Sequence, residues 1–129
     1  MALGYVTTLR NARLDEITTA IGTSGLLRVY SGTQPATGGT ATTLLAELAL
    51  TATSAPAASG GVLTFSAITD DASADASGTP TWARLCTSGG AAVVDMTAGV
   101  GSGDLNFNAA IVAAGTVSVT SFVITDGTP

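Results

Sequence analysis

From Gly25 onward the chain is cut into short apolar runs by turn residues, and this punctuation limits the fold more than any other feature. The runs are LLRVYS (26–31), TLLAELAL (43–50), GVLTFSAI (61–68), TPTWARLCT (79–87), AVVDMT (92–97), DLNFN (104–108) and GTVSVTSFVITD (115–126). Gly, Ser, Pro and Asp stand at the breaks. Strands of this length and spacing predict an all-β domain, a β-sandwich or jelly roll of about seven to eight short strands with one N-terminal α-helix. The last run alternates, with Val117, Val119, Ser121 and Val123 on one face and Ser118, Thr120, Phe122 and Ile124 on the other. In TPTWARLCT, Trp82, Arg84 and Cys86 share the face opposite Thr81, Ala83 and Leu85, and Trp82 reads as a core anchor. No repeat with a period of roughly 20–50 residues is present, which removes propellers and solenoids.

The helix is predicted over residues 8–21, TLRNARLDEITTAI. Thr7 or Thr8 can cap its start, and Gly22 stands where a terminating glycine belongs. At helical spacing Leu9, Leu14, Ile17, Ala20 and Ile21 fall on one face, and Asn11, Asp15, Thr18 and Thr19 on the other. Arg10 and Arg13 lie within the apolar stripe. They either run their stems along the domain or reach across an interface to a partner's carboxylates. The whole chain, 1–129, is expected to be a single domain: an extended arm (1–6), the helix (8–21) and the β-sandwich (26–126).

Charge and composition narrow the function by exclusion. The net charge is −5, the four cations are all Arg, and there is no Lys and no His. A chain that neutralised phosphates would need a cationic stripe, so neither nucleic acid nor an anionic membrane is an expected partner. Without His the commonest general base and metal ligand is missing, and without Lys there is no amine nucleophile. Cys86 stands alone and reads as a small buried residue, so no intrachain disulfide is expected. Asp70, Asp71 and Asp75 share one loop, but their spacing does not follow a calcium-loop pattern, and an Asp-rich turn explains them. Asp70, Asp71, Asp95 and Asp104 are the carboxylates from which a glycosidase pair would come, yet aromatics make up only 5% of the chain, too few for a sugar cleft. GVGSGD (99–104) has phosphate-loop spacing of glycines without the following Lys or helix, and reads as a turn. The expectation is therefore no enzyme, no cofactor and no metal.

Charged residues are only 10% of the chain and the mean hydropathy is +0.48. Much of the exterior must then be Thr, Ser, Ala and Gly, a surface suited to lie against a partner. The start MALGYVTTLR lacks a secretory pattern, and no apolar run approaches membrane-spanning length, so a cytoplasmic product that stays soluble or is assembled there is expected.

Three segments carry a resemblance: LLRVYSGTQPATGG with LLAELAL, then ITDDASADASGTPTWARL, then DLNFN with TVSVTSFVIT. Their marks are the Leu27–Pro35 turn, the Ala76–Trp82 strand start and the Asp104–Asn106 strand. Together they resemble small virion proteins encoded among the head genes of tailed bacteriophages and prophages, some of which are similar to jelly-roll cement, or decoration, proteins. The resemblance implies a capsid decoration protein on the outer surface of the head, made in the host cytoplasm. Its partners would be the major capsid protein and neighbouring copies of itself, as a homo-oligomer or on the capsid lattice. A tail- or fibre-associated structural protein is the alternative, and a small carbohydrate-binding module using Trp82, Tyr5 and Tyr30 a third. The candidate partner interface is Tyr5, Arg10 and Arg13 on the arm and helix, with Thr33, Gln34 and Pro35 in the 32–41 loop. That loop is expected to be an exposed connection.

Overall fold

The computed structural model describes residues 3–126. It is mostly strand, with one helix and a curled mixed sheet. In chain order the elements are α1 (Thr7–Ile21), β1 (Leu26–Ser31), β2 (Thr43–Ala49), β3 (Val62–Thr64), β4 (Trp82–Cys86), β5 (Ala92–Val100), β6 (Leu105–Phe107) and β7 (Val123–Thr125).

The helix forms where it is predicted and ends at Gly22 as expected, but its N-cap and part of its buried face differ. Neither Thr7 nor Thr8 caps it. Val6 is the N-cap in extended conformation (φ −62°, ψ 151°), and its carbonyl accepts from the N–H groups of Leu9 and Arg10 at 3.0 and 3.1 Å. Gly22, at φ +71°, ends the helix and donates to Thr18 O. Leu14 and Ile21 are buried and Ile17 partly so, but Leu9 is 45% exposed and Ala20 is exposed. The expected polar face turns inward instead. Asn11 Oδ1 accepts from Gly61 N–H at 2.8 Å, and Asp15 Oδ1 accepts from Ala58 N–H at 2.7 Å. The 58–61 turn has backbone donors to satisfy, and a helix carrying Asn and Asp one turn apart satisfies them while Leu14 and Ile21 enter the core. The helix is therefore rotated from the face that hydropathy alone selects.

Five strands form the main sheet in the order β2-β1-β4-β5-β6. The pairs β1–β2, β1–β4 and β4–β5 are antiparallel. Leu27 and Val29 of β1 and Ala83 and Leu85 of β4 face inward, fully buried. A separate antiparallel ribbon, β3–β7, joins the same core through Leu63 and the partly buried Ile124, with Phe65 and Phe122 just beyond it. Those two rings meet with centroids 4.9 Å apart.

Two departures matter for the surface. The run predicted as a strand over 115–126 pairs in a ladder only at Val123–Thr125. Val117 and Val119 are buried, but so is Phe122, while Val123 is 52% exposed. The inward face slips by one residue across Ser121, because the segment is extended without a ladder to hold its register. The GVGSGD turn is the second. It winds the chain into a tight coil that sets β6 parallel to β5, with Ala98 opposite Leu105 and Val100 opposite Phe107. Parallel neighbours normally need a crossover of a dozen residues or more, and a coil this short is possible only through glycine. At Gly103, φ is +87° and an added Cβ would strike the Ala98 backbone.

Candidate functional site

The arm and helix bring Tyr5, Arg10 and Arg13 together, and the structure spends both arginines within the chain. Arg13 Nη1 lies 3.1 Å from Asp126 Oδ2, and its guanidinium sits over the Tyr5 ring at 4.7 Å from the centroid. Arg10 Nη1 donates to the Asp126 carbonyl at 2.9 Å, and Nη2 donates to Thr7 Oγ1 at 3.0 Å. Arg10 fits because it packs against Gly61, where a side chain would occupy the guanidinium's place. Of the two possibilities left open by the sequence, the geometry is that of arginines lying along their own domain, anchored at Asp126.

The 32–41 loop is tied down rather than free. Thr33 is exposed, and Gln34 and Pro35 are half-buried. Beyond them the loop folds back over the outer face of the sheet. Gly38 N–H donates to Asp95 Oδ2 at 2.9 Å, and Gly39 O accepts from Arg84 Nη2 at 2.9 Å. At its far end Thr42 Oγ1 donates to Ser31 O and accepts from Trp82 Nε1 at 2.8 Å. The loop is the exposed connection expected, with seven of its ten residues exposed, and these bonds pin it to the sheet.

Beneath the loop lies a polar and aromatic column that the sequence reading only half found. Trp82, Arg84 and Cys86 do share a face, with Arg28 and Tyr30 of β1 and Asp95 of β5 beside them by register. Arg84 and Asp95 form a two-pronged pair, Nε to Oδ1 at 2.6 Å and Nη2 to Oδ2 at 2.9 Å, with side chains 8% and 1% exposed. The Arg84 hydrogen bonds hold the Asp95 carboxyl below the ordinary Asp range, and Asp95 in turn raises Arg84. Tyr30 stacks on Trp82 with centroids 4.3 Å apart and planes 14° apart, and Arg84 lies over Trp82 from the other direction at 5.0 Å. Burial pushes up both the Tyr30 hydroxyl and the Cys86 thiol, so neither is poised to ionise. At the half-exposed margin Arg28 Nε bonds Glu47 Oε2 at 2.7 Å. A signal for the Arg84–Asp95 pair was present in the sequence: opposite charges near the middle of two consecutive strand candidates. Only the register could turn it into a pair.

Two further carboxylates, Asp71 and Asp104, have structural partners. Asp71 accepts from the Ser73 N–H and, with its other oxygen, from the Glu47 N–H, each at 3.0 Å. It acts as a turn residue. Asp104 Oδ2 accepts from Thr97 Oγ1 at 2.9 Å and closes the β5–β6 coil. Among the described residues no group of three or more His, Cys, Asp or Glu is gathered to hold a metal ion. A hollow of about 370 Å³ lies between residues 104–108 and 118–123, and Asp104 is the one ionisable side chain in its lining. All four arginines are bonded to carboxylates or carbonyls of the chain itself, so they form no cationic face.

Part of what stands open on the surface is apolar. Leu3 is 58% exposed, Tyr5 39%, Val6 71% and Leu9 45%, all within one stretch of seven residues. These residues give the arm and the first helical turn an exposed apolar side.

Compared with known protein families, characterised proteins and solved structures, the chain finds no match.

Proposed function

We propose that this chain is a bacteriophage capsid decoration protein, which binds the outer surface of the head and stabilises the shell. The observation that carries the reading is the exposed apolar stretch from Leu3 to Leu9, on a chain whose cations are all spent internally. Such a surface has apolar area to bury and few charges to strip of water, which suits a permanent place among other subunits. The head-gene motifs at Leu27–Pro35, Ala76–Trp82 and Asp104–Asn106 support the same reading. In it the curled sheet and the β3–β7 ribbon are the two layers of an irregular sandwich of jelly-roll kind. The partners are the major capsid protein and neighbouring copies, the location is the outer capsid, and the Thr33–Pro35 turn and residues 3–9 are where the domain meets them.

A protein that binds only the assembled shell stabilises that shell by mass action. Virions assembled without it should release their DNA at a lower temperature than complete virions, measured by dye access during heating. Re-addition of purified protein should restore the higher value. Equal heat resistance with and without the protein would sink the proposal, and a stoichiometry of only a few copies per virion would move it to the tail or a fibre.

A further inference from the structure

The ribbon and the main sheet do not close on each other along one side, and both borders of the gap are bare strand edges. On the ribbon side, Phe122 O accepts from Phe65 N–H and Asp126 N–H donates to Gly61 O, so these even-numbered residues point toward β3 and its flanks. By alternation, the N–H and C=O groups of Val123 and Thr125 point away from β3, into the gap. On the sheet side, Ala98 N–H donates across to Thr81 O, whereas Thr97 N–H turns the other way, to Asp104. The same alternation turns Asp95 toward the gap, and β6 does not cover it, since it pairs only with Ala98–Val100. The gap itself is a groove of about 300 Å³ lined by Val94–Met96, Asp104 and Phe122–Thr125. It runs on into the 370 Å³ hollow through Phe122 and Val123. At its other end it meets a third hollow, of about 260 Å³, formed by Arg13, Leu14 and Ile17 with Ile124–Asp126.

Bare strand edges are normally blunted by Lys, Pro, a bulge or a covering segment. The β7 edge, Val-Ile-Thr, has no charge and no Pro, and Val123 is half in solvent. The groove ends where Arg13 is bonded to Asp126, and Arg13 is also the residue that holds Tyr5 of the arm. The arm thus leaves the domain at the mouth of the groove. Residues 3–6, Leu-Gly-Tyr-Val, are uncharged, and among the described residues their backbone makes no ladder. Fully extended they span about 14 Å, the length of a four-residue strand and a match for β7. In their own chain residues 3–6 stand exposed and do not line the groove. Leu9 and Arg10 bond the Val6 carbonyl, and Tyr5 rests on Arg13, a contact the arm gives up in order to pair elsewhere.

We propose that residues 3–6 of a second copy lie in this groove as an added strand along the free edge of β7, so that neighbouring copies exchange arms. Main-chain bonds to Val123 and Thr125 would supply the pairing, and Leu3 and Tyr5, two residues apart, would present one apolar face to the groove. Exchange of an identical element between copies needs no new surface, because donor and acceptor are both present on every chain. This deepens the reading of residues 3–9 as a contact segment. It does not depend on the capsid: exchange is tested on isolated protein, and shell stabilisation on virions.

The test uses the full chain carrying Leu3→Cys mixed with the full chain carrying Val123→Cys, under mild oxidation. Cys86 is fully buried and does not interfere. The mixed disulfide between the two variants should form in excess over either like-with-like pair. Unsubstituted protein should be oligomeric by light scattering, and deletion of residues 3–6 should make it monomeric with an unchanged circular dichroism spectrum. A monomeric full chain overturns the proposal. So does an oligomer that gives no mixed disulfide. A chain carrying both cysteines that closes only on itself shows the arm in its own groove, and overturns it as well.

Discussion

The β1–β4–β5 region and the stretch from Gly101 to Asp126 are made from similar residues and are held in different ways. In the first, β1 and β4 have a neighbour on both sides, β5 pairs along β4, and the register is specified twice, by ladder bonds and by side chains. Arg84 opposite Asp95, Tyr30 against Trp82, and Leu27, Val29, Ala83 and Leu85 beneath all agree on one alignment. In the second, Val117, Val119 and Phe122 are buried, but backbone pairing is limited to β6, β7 and isolated bridges such as Asp71–Val117 and Gly78–Ile111. Burial and scattered backbone bonds hold this segment near the core. They do not fix one register along it, and among the described residues they leave one edge of β7 without a ladder.

The sharpest way to break that contrast is to remove one partner of the buried ion pair. Arg84→Met leaves the Asp95 carboxylate buried and unpaired, and should cost about 3–5 kcal/mol in urea unfolding. A double variant, Arg84→Met with Asp95→Leu, should recover most of that loss, since neither charge is then stranded. If the single variant loses less than about 1 kcal/mol, the pair is not what locks this half of the sheet.

Deleting comparable apolar volume in the two regions gives the next largest effect. Leu85→Ala, in a fully buried site framed by ladders on both sides, should cost about 2–5 kcal/mol. Val119→Ala removes two methyl groups from a site that can relax, and should cost about 1.6 kcal/mol or less, at roughly 0.8 kcal/mol per group. Equal losses at the two sites would show the C-terminal stretch to be packed as rigidly as the sheet. Native-state hydrogen exchange gives the same comparison without substitution: amides of β1 and β4 should exchange only on global unfolding, and those of residues 118–121 by local opening.

Acid gives the smallest effect. Arg84 holds the Asp95 carboxyl below the ordinary Asp range, so the folded chain keeps this group charged where the unfolded chain, with a pKa near 3.9, begins to protonate. The resulting stability is fully present above about pH 4 and is lost as pH falls through the folded-state value. Asp95→Asn should therefore flatten the slope of stability against pH below pH 4 while leaving the slope above it unchanged. A slope that does not change below pH 4 would place the acid sensitivity in other carboxylates.

Much of the local structure was legible in the chain. The helix over 8–21 is found at Thr7–Ile21, and β1 has the bounds its apolar run announced. The runs at 43–50, 79–87, 92–97 and 104–108 each contain a strand, trimmed or extended at the ends, and Trp82 lies in a fully buried site. Where the reading slipped, the sequence signal reported burial and was taken for pairing. Alternation over 115–126 says that side chains take turns facing a core, and an extended segment with no ladder does that too. The helix face slipped for a related reason, since Asn11 and Asp15 face inward to bond the 58–61 turn, a need invisible until that turn is placed.

Composition and order, by themselves, determined that this chain has one helix followed by short strands, no cationic face, and few groups able to do chemistry. These follow from residue identity, turn chemistry and local periodicity, which act over a few neighbours. Only the tertiary structure decided that the 32–41 loop straps the Arg84–Asp95 pair, that Arg10 and Arg13 are spent on Asp126, and that β7 keeps one edge bare. Each of those joins residues 30 to 116 positions apart in the chain: Asp126 with Arg10, Gly38 with Asp95, and the groove edges Asp95 and Thr125. Register and loop closure set such distances, and no local pattern carries them.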